Sequence, residues 1–246
     1  GNFPHKKTET VIEALGMRLV PGFINIRMES AHATDILTDP RQSAARNEGY
    51  TTLINGADGA SLAPLVDGSL ESLRKWAPAQ SVNINWHTVA EFQKTLDALP
   101  LGVNCGLFVG YNGIRRSIIH EQAGDPTDKE LDAIMRVARE SLREGALGIA
   151  LNLNTAHGRR ISHEEARRVA QACAEAKKIL VLTLRAQTEH FMEAASEALA
   201  LYRTTGARMI IADILPRALN KAEEKNFRCA YETLAHAGDG LFMELR

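Results

Sequence analysis

The chain has 246 residues, 45% of them hydrophobic and 24% charged, enough for a sizeable core in one α/β barrel or sandwich, or in two smaller domains. Its 29 basic and 30 acidic side chains nearly cancel and form no block of like charge, so neither a nucleic acid nor an anionic membrane surface is an expected partner. No apolar run reaches the ~20 residues of a membrane span, residues 1–10 hold no signal-peptide core, and the three cysteines are far apart with no CxxC pair, as expected of reduced core thiols in a cytoplasmic chain or domain.

Short β-rich apolar runs alternate with amphipathic stretches, the pattern of βα units feeding a parallel sheet. The expected strands are Phe23 to Met28, Tyr50 to Asn55, Val103 to Tyr111, Leu147 to Leu153, Ile179 to Arg185, Arg208 to Ile214 and Gly240 to Arg246. Between the third and fourth, Thr127 and Glu130 stand in capping-box spacing; Leu131, Ile134, Met135, Ala138 and Leu142 follow at helical spacing, and Gly145 stops the helix. Ser162 and Glu165 open the next helix in the same way, with Ala166, Val169, Ala170 and Cys173 facing inward. Gly206 ends a further helix that begins near Thr188. Alternation of this kind suits a closed barrel and an open doubly wound sheet equally well.

The choice between them comes from particular phrases. Glu13-Ala14-Leu15-Gly16-Met17-Arg18-Leu19-Val20-Pro21-Gly22-Phe23-Ile24-Asn25 is followed by Gly49-Tyr50-Thr51-Thr52, by Gly56 to Pro64, and by Trp86 with Phe92. Val103-Asn104 then leads to Gly110, Asn112 and Arg115, ahead of Glu144-Gly145-Ala146-Leu147-Gly148. In order and spacing this set resembles the N-acyl-D-amino-acid deacylase (D-aminoacylase) branch of the amidohydrolase superfamily. The resemblance implies a TIM-like (β/α) barrel over residues 21–246, incomplete at about seven strands where closure takes eight, with residues 1–20 as the remnant of an N-terminal β-subdomain.

That branch holds one or two divalent ions, which polarise an amide carbonyl and acidify a bound water. By the resemblance, its strand-one His-x-His falls on Arg27 and Glu29, its cysteine ligand on Asp58 and its strand-three histidine on Tyr111. The histidine of its Thr-His-x-Arg phrase falls on Thr183, with the arginine kept as Arg185, and its strand-six histidine falls on Asp213. The catalytic aspartate of strand eight would lie beyond Arg246. A fixed guanidinium at a cation site repels the ion it replaces, so the expectation is no metal, no other cofactor and no catalytic residue. All eight histidines fall outside these positions, His32 lying nearest the expected mouth of the barrel.

Arg27, Glu29, Asp58, Arg185 and Asp213 are expected to converge at the C-terminal ends of the strands, together with Tyr111, Arg115 and Thr183 and with Glu244 as a further candidate. Three readings of such a cluster stay open: an ion-pair network in place of metals, a pocket where Arg27 and Arg185 hold the carboxylate of a small polar ligand, or a hard-cation site of Glu29, Asp58 and Asp213. The functional expectation is a pseudoenzyme that binds, scaffolds or regulates, its open side covered by a protein partner or a second copy. The alternatives are an amide hydrolase with altered chemistry, acting through the acidic cluster or a non-zinc cation, and one domain of a longer polypeptide whose activity lies elsewhere.

Overall fold

The computed structural model describes residues 15–28, 34–66, 84–120, 125–187, 190–214 and 220–245. There the apolar runs form seven strands, all parallel and each hydrogen-bonded to the next in chain order. They are β1 Phe23–Met28, β2 Tyr50–Asn55, β3 Asn104–Gly110, β4 Gly148–Asn152, β5 Ile179–Thr183, β6 Arg208–Ile214 and β7 Leu241–Leu245. Parallel neighbours need a crossover, and right-handed crossovers without any reversal of order curl a sheet one way, towards a barrel. The curl is incomplete. Among the described residues β7 forms no ladder with β1, so an edge remains on each. Phe23 and Ile24 on β1 are 57% and 59% exposed, and Phe242 on β7 is 50% exposed.

Strand alternation divides the apolar side chains between two layers. Leu53, Leu107, Ile149, Leu151, Leu180, Leu182, Met209 and Ile211 meet the helices in the larger core. Ile54, Phe108, Ala150, Val181 and Ala212 fill a smaller cluster inside the curl, where alanines leave room for strands to approach. Gly56, at φ 89, makes the turn that follows β2; a Cβ there would collide with the carbonyl oxygen of Phe108.

The helices are α1 Asp35–Thr38, α2 Ser43–Asn47, α3 Val89–Asp97, α4 Tyr111–Ile119, α5 Asp128–Arg143, α6 His163–Glu175, α7 Phe191–Thr205 and α8 Lys221–Ala235. Thr127 and Glu130 form the reciprocal capping box expected of α5, and Ile134, Met135, Ala138 and Leu142 are buried. Gly206, left-handed at φ 66, closes α7. Thr88 and Glu91 cap α3 with a second reciprocal box that the sequence reading passed over. Glu144, just past α5, accepts from the first backbone N–H groups of α3 at 2.9 and 3.3 Å, so the end of one helix supplies a carboxylate to the positive end of another.

Two boundaries differ from expectation in a way that bears on the site. Tyr111 does not end strand three but opens α4, which follows β3 with no loop between. Arg185 lies beyond β5, which stops at Thr183. Residues 1–14, Glu29 and His32 lie outside the described residues, and so does the part of the expected N-terminal subdomain they would form. No helix among the described residues is long and apolar enough to cross a membrane.

Candidate functional site

The candidate residues do not gather into one cluster; they divide into three groups. The first is at the C-terminal ends of β1, β6 and β7. Between Asn25 and Met28 the register of β1 against β2 slips, as Asn25 faces Leu53 while Met28 faces Asn55. One extra residue is thereby accommodated on β1, a bulge of the kind that re-aims a side chain. Arg27 lies in it, its backbone N–H donating to Asn25 Oδ1 at 2.9 Å. On β6 the register against β7 also breaks, between Ile211 and Ile214, and Asp213 takes a left-handed backbone at φ 62. These two irregularities bring Arg27 Nη1 to 3.1 Å from Asp213 Oδ1 and to 3.9 Å from Glu244 Oε2 of β7.

Arg27 is 14% exposed in its side chain, against 21% for Asp213 and 23% for Glu244. Burial by itself lowers the Arg27 pKa; Asp213, then Glu244 and Asp58, outweigh it and hold the guanidinium above its ordinary value. Asp58 sits in the turn after β2, where its backbone carbonyl accepts from Asn152 Nδ2 at 3.0 Å. Thr183 completes the mouth. It pairs in register with Ala212, the neighbour of Asp213, and lies on the same face of β5 as Val181 of the inner cluster. It is 2% exposed, and its hydroxyl has no hydrogen-bond partner; Arg27 Nε and Nη1 likewise lack an aligned acceptor.

The second group is sealed between helices. Tyr111 and Arg115, one turn apart on α4, both donate to Glu165 Oε1 of α6, at 2.7 and 2.9 Å. Glu165 stands where a capping box would send it back to the Ser162 N–H; the Ser162 hydroxyl does accept from the Glu165 backbone at 3.1 Å, but the carboxylate turns to α4. All three side chains are buried. Burial, with the adjoining Glu165 charge, pushes the Tyr111 phenol well above the ordinary tyrosine range. Tyr111 and Arg115 are thus in the helix layer and away from Arg27, because the chain leaves β3 for α4 one residue sooner than expected.

Arg185 belongs to a third group. Its Nε and Nη2 donate to Glu197 of α7 at 3.0 and 2.8 Å, and its Nη1 and Nη2 reach the carbonyls of Arg159 and Ile161 at 2.8 Å each. His163 Nδ1 approaches Glu197 Oε1 at 2.9 Å. A cavity of about 570 Å³ opens beside them, lined in part by Arg159, His163, Arg185, Gln187, Glu193 and Glu197. Arg185 is bound on both edges of its guanidinium, to Glu197 and to two backbone carbonyls.

Glu165 and Glu197 were not singled out from sequence. Their partners are 50 and 12 residues distant; Glu165, in the first turn of α6, carries only the signal of an ordinary cap, and Glu197, in the middle of α7, carries none. The donor set at the mouth does not suit a divalent ion. Of the positions matched to metal ligands, Arg27 presents a cation, Tyr111 faces Glu165, and Thr183, Asp58 and Asp213 offer no imidazole or thiolate. Among the described residues no three His, Cys, Asp or Glu side chains are grouped as a metal would need.

Comparison with known proteins gives the following. No family model matches the chain. It is 27% identical over 215 residues to an N-acyl-D-aspartate deacylase of Alcaligenes xylosoxydans xylosoxydans, covering 85% of this chain and 42% of that one. A D-aminoacylase of the same organism is 24% identical over 216 residues, 86% of this chain and 43% of the relative. Among solved structures, a D-aminoacylase superimposes with a TM-score of 0.74 at 21% identity, over 92% of this chain and 46% of that one. An N-acyl-D-glutamate deacylase of Bordetella bronchiseptica, solved with zinc and a phosphonate inhibitor, gives 0.70 at 22%, with the same coverage. The chain therefore spans less than half the length of these relatives, and its incomplete barrel is of the amidohydrolase type.

Proposed function

Because the chain is homologous to the D-aminoacylase branch of the amidohydrolases over most of its length, we propose that it is a member of that group that does not hydrolyse amides and has kept the barrel as a binding or regulatory platform. The observation that carries this reading is the Arg27–Asp213 ion pair at the strand ends. Hydrolysis by a metal-bound water requires a cation held by anionic or neutral ligands, and a guanidinium there opposes both the ion and its ligation. The competing reading, an amide hydrolase with altered chemistry, draws on the nearness of Asp213 and Glu244 to one another across Arg27. Assays on N-acetyl-D-amino acids distinguish them. No turnover is expected with or without added zinc, and histidines introduced at positions 27 and 29 alone are not expected to create any. Turnover abolished by a chelator and restored by zinc would overturn the proposal.

The second part of the reading concerns what the platform binds. Unpaired edges on β1 and β7, beside the exposed Phe23, Ile24 and Phe242, favour association with a protein partner or a second copy in a cytoplasmic setting. Light scattering should show association that Phe242→Lys weakens, since a charge on that edge opposes strand addition. A monodisperse monomer whose β7 amides are strongly protected from hydrogen exchange would remove the argument.

A further inference from the structure

Three features were candidates for a site: the cavity beside Arg185, the sealed Tyr111–Arg115–Glu165 group, and the opening between β7 and β1. In the first, the best donor is already bound to Glu197 and to two carbonyls. In the second, every side chain is enclosed by helices. The opening differs from both, because its width and lining match a segment that the chain itself leaves uncovered.

Arg27 of β1 reaches to 3.9 Å from Glu244 of β7 across this opening. Two side chains of that length meeting tip to tip put the backbones about 10 Å apart, the width of one absent strand. Among the described residues no strand lies between them. Ile24 stands three residues before Arg27 and Phe242 two before Glu244, so they flank the opening at one height. Both face the inside of the curl: Ile24 alternates with Ile26, which packs on the inner cluster, and Phe242 pairs in register with Ile210, which does the same. Each is nonetheless half exposed or more, as an empty strand position beside them requires. What fits there is an extended segment with apolar side chains at alternate positions.

Residues 15–20 are such a segment. Leu15, Met17 and Leu19 alternate with Gly16, Arg18 and Val20 in a stretch that is neither helix nor strand, and no backbone hydrogen bond joins it to another described residue. Leu15 is 90% exposed and Met17 74%. The type II turn that would fold this arm back onto its own β1 at Pro21-Gly22 needs a left-handed glycine, which Gly22 is not. Gly22 instead lies so close to Thr51 of β2 that a Cβ would collide with its side chain. We propose that two copies of this chain exchange residues 15–20, each arm lying antiparallel on β1 of the other copy, in the opening beside β7. Opposing Leu19 to Ile24 and Met17 to Ile26 puts all four on the inner face and sets the two-fold axis at Pro21-Gly22. Together with Leu15, Val20, Phe23 and Phe242, the exposed apolar side chains of arm and opening present roughly 500 Å² of apolar surface. That matches the apolar part of a standard interface of about 800 Å² per partner. A reciprocal exchange uses both arms, so it stops at two copies. The inference rests on the association reading above and deepens it, since it names the partner and the contact.

Light scattering of the whole chain at micromolar concentration tests it. Wild type should have twice the mass of the chain. Met17→Glu with Leu19→Glu should raise the dissociation constant about 100-fold or more and leave the far-ultraviolet circular dichroism unchanged, because neither side chain supports the fold of its own copy. A cross-link gives a second readout, in a Cys229→Ser background that removes the exposed thiol. There, a chain carrying both Leu19→Cys and Ile24→Cys should join to a second copy on mild oxidation, and chains carrying either one alone should not. Should the glutamate variant fail to fold, the cross-link decides. The inference fails if the glutamate variant folds and stays a dimer, if the single-cysteine chains cross-link as readily as the pair, or if wild type forms a polydisperse assembly. A dimer that Phe242→Lys dissociates and the arm variant does not would overturn the exchange and leave the association reading standing, whereas a monomeric wild type would remove both.

Discussion

Arg115–Glu165 and Arg27–Asp213 are both arginine–carboxylate pairs inside the same protein, at 2.9 and 3.1 Å, yet they are built for different ends. The first is 2% exposed on both sides and carries a third member, Tyr111, on the same carboxylate oxygen. Helices α4 and α6 close over it, and Arg115 Nη2 is buried there without a hydrogen-bond partner. The second is 14% and 21% exposed and lies at strand ends on a bulge and a left-handed residue. A sealed pair specifies how two helices pack. A pair at strand ends, partly open to solvent, lies where a barrel keeps its chemistry.

Removing Glu165 should give the largest effect that separates them. Glu165→Ala leaves Arg115 charged and enclosed and takes the acceptor from Tyr111, and a loss of about 3–5 kcal/mol in denaturant unfolding is expected. A loss under about 1 kcal/mol would mean that water reaches Arg115 and that the group is not sealed. Next is Arg27→Met, for which about 1–3 kcal/mol is expected, because the strand-end carboxylates keep some contact with solvent. If it proved as costly as Glu165→Ala, the mouth would be as closed as the helix layer and the contrast would collapse.

Tyr111→Phe should cost least, about 1–2 kcal/mol for one hydrogen bond to a carboxylate. It also sharpens the comparison through pH. The phenol is raised above its ordinary value of 10.0 in the folded chain. Stability from this group is therefore whole below pH 10 and declines above it, where the unfolded chain releases the proton and the folded chain keeps it. Urea unfolding from pH 8 to 11 should fall more steeply for wild type than for Tyr111→Phe. Parallel curves would place the phenol in contact with water.

Much of the architecture is determined by sequence alone, because it depends on local chemistry. The bounds of β1, β2 and β6, the Thr127–Glu130 box and the Gly206 stop follow from runs of apolar residues, cap spacing and glycine's freedom at positive φ. An ion pair of Arg27 with a carboxylate was among the readings open from sequence, once the resemblance put the C-terminal ends of the strands at one mouth. The grouping of charges was decided only in three dimensions. Glu165 reads locally as a cap, and nothing near it in the chain shows that α4 starts at Tyr111 and carries both that residue and Arg115 to its carboxylate. Arg185 is held by Glu197, a glutamate in the next helix. Side chains of this length pair with whatever carboxylate packing brings within reach, and packing is settled by the burial of whole helix faces rather than by the charged residue itself.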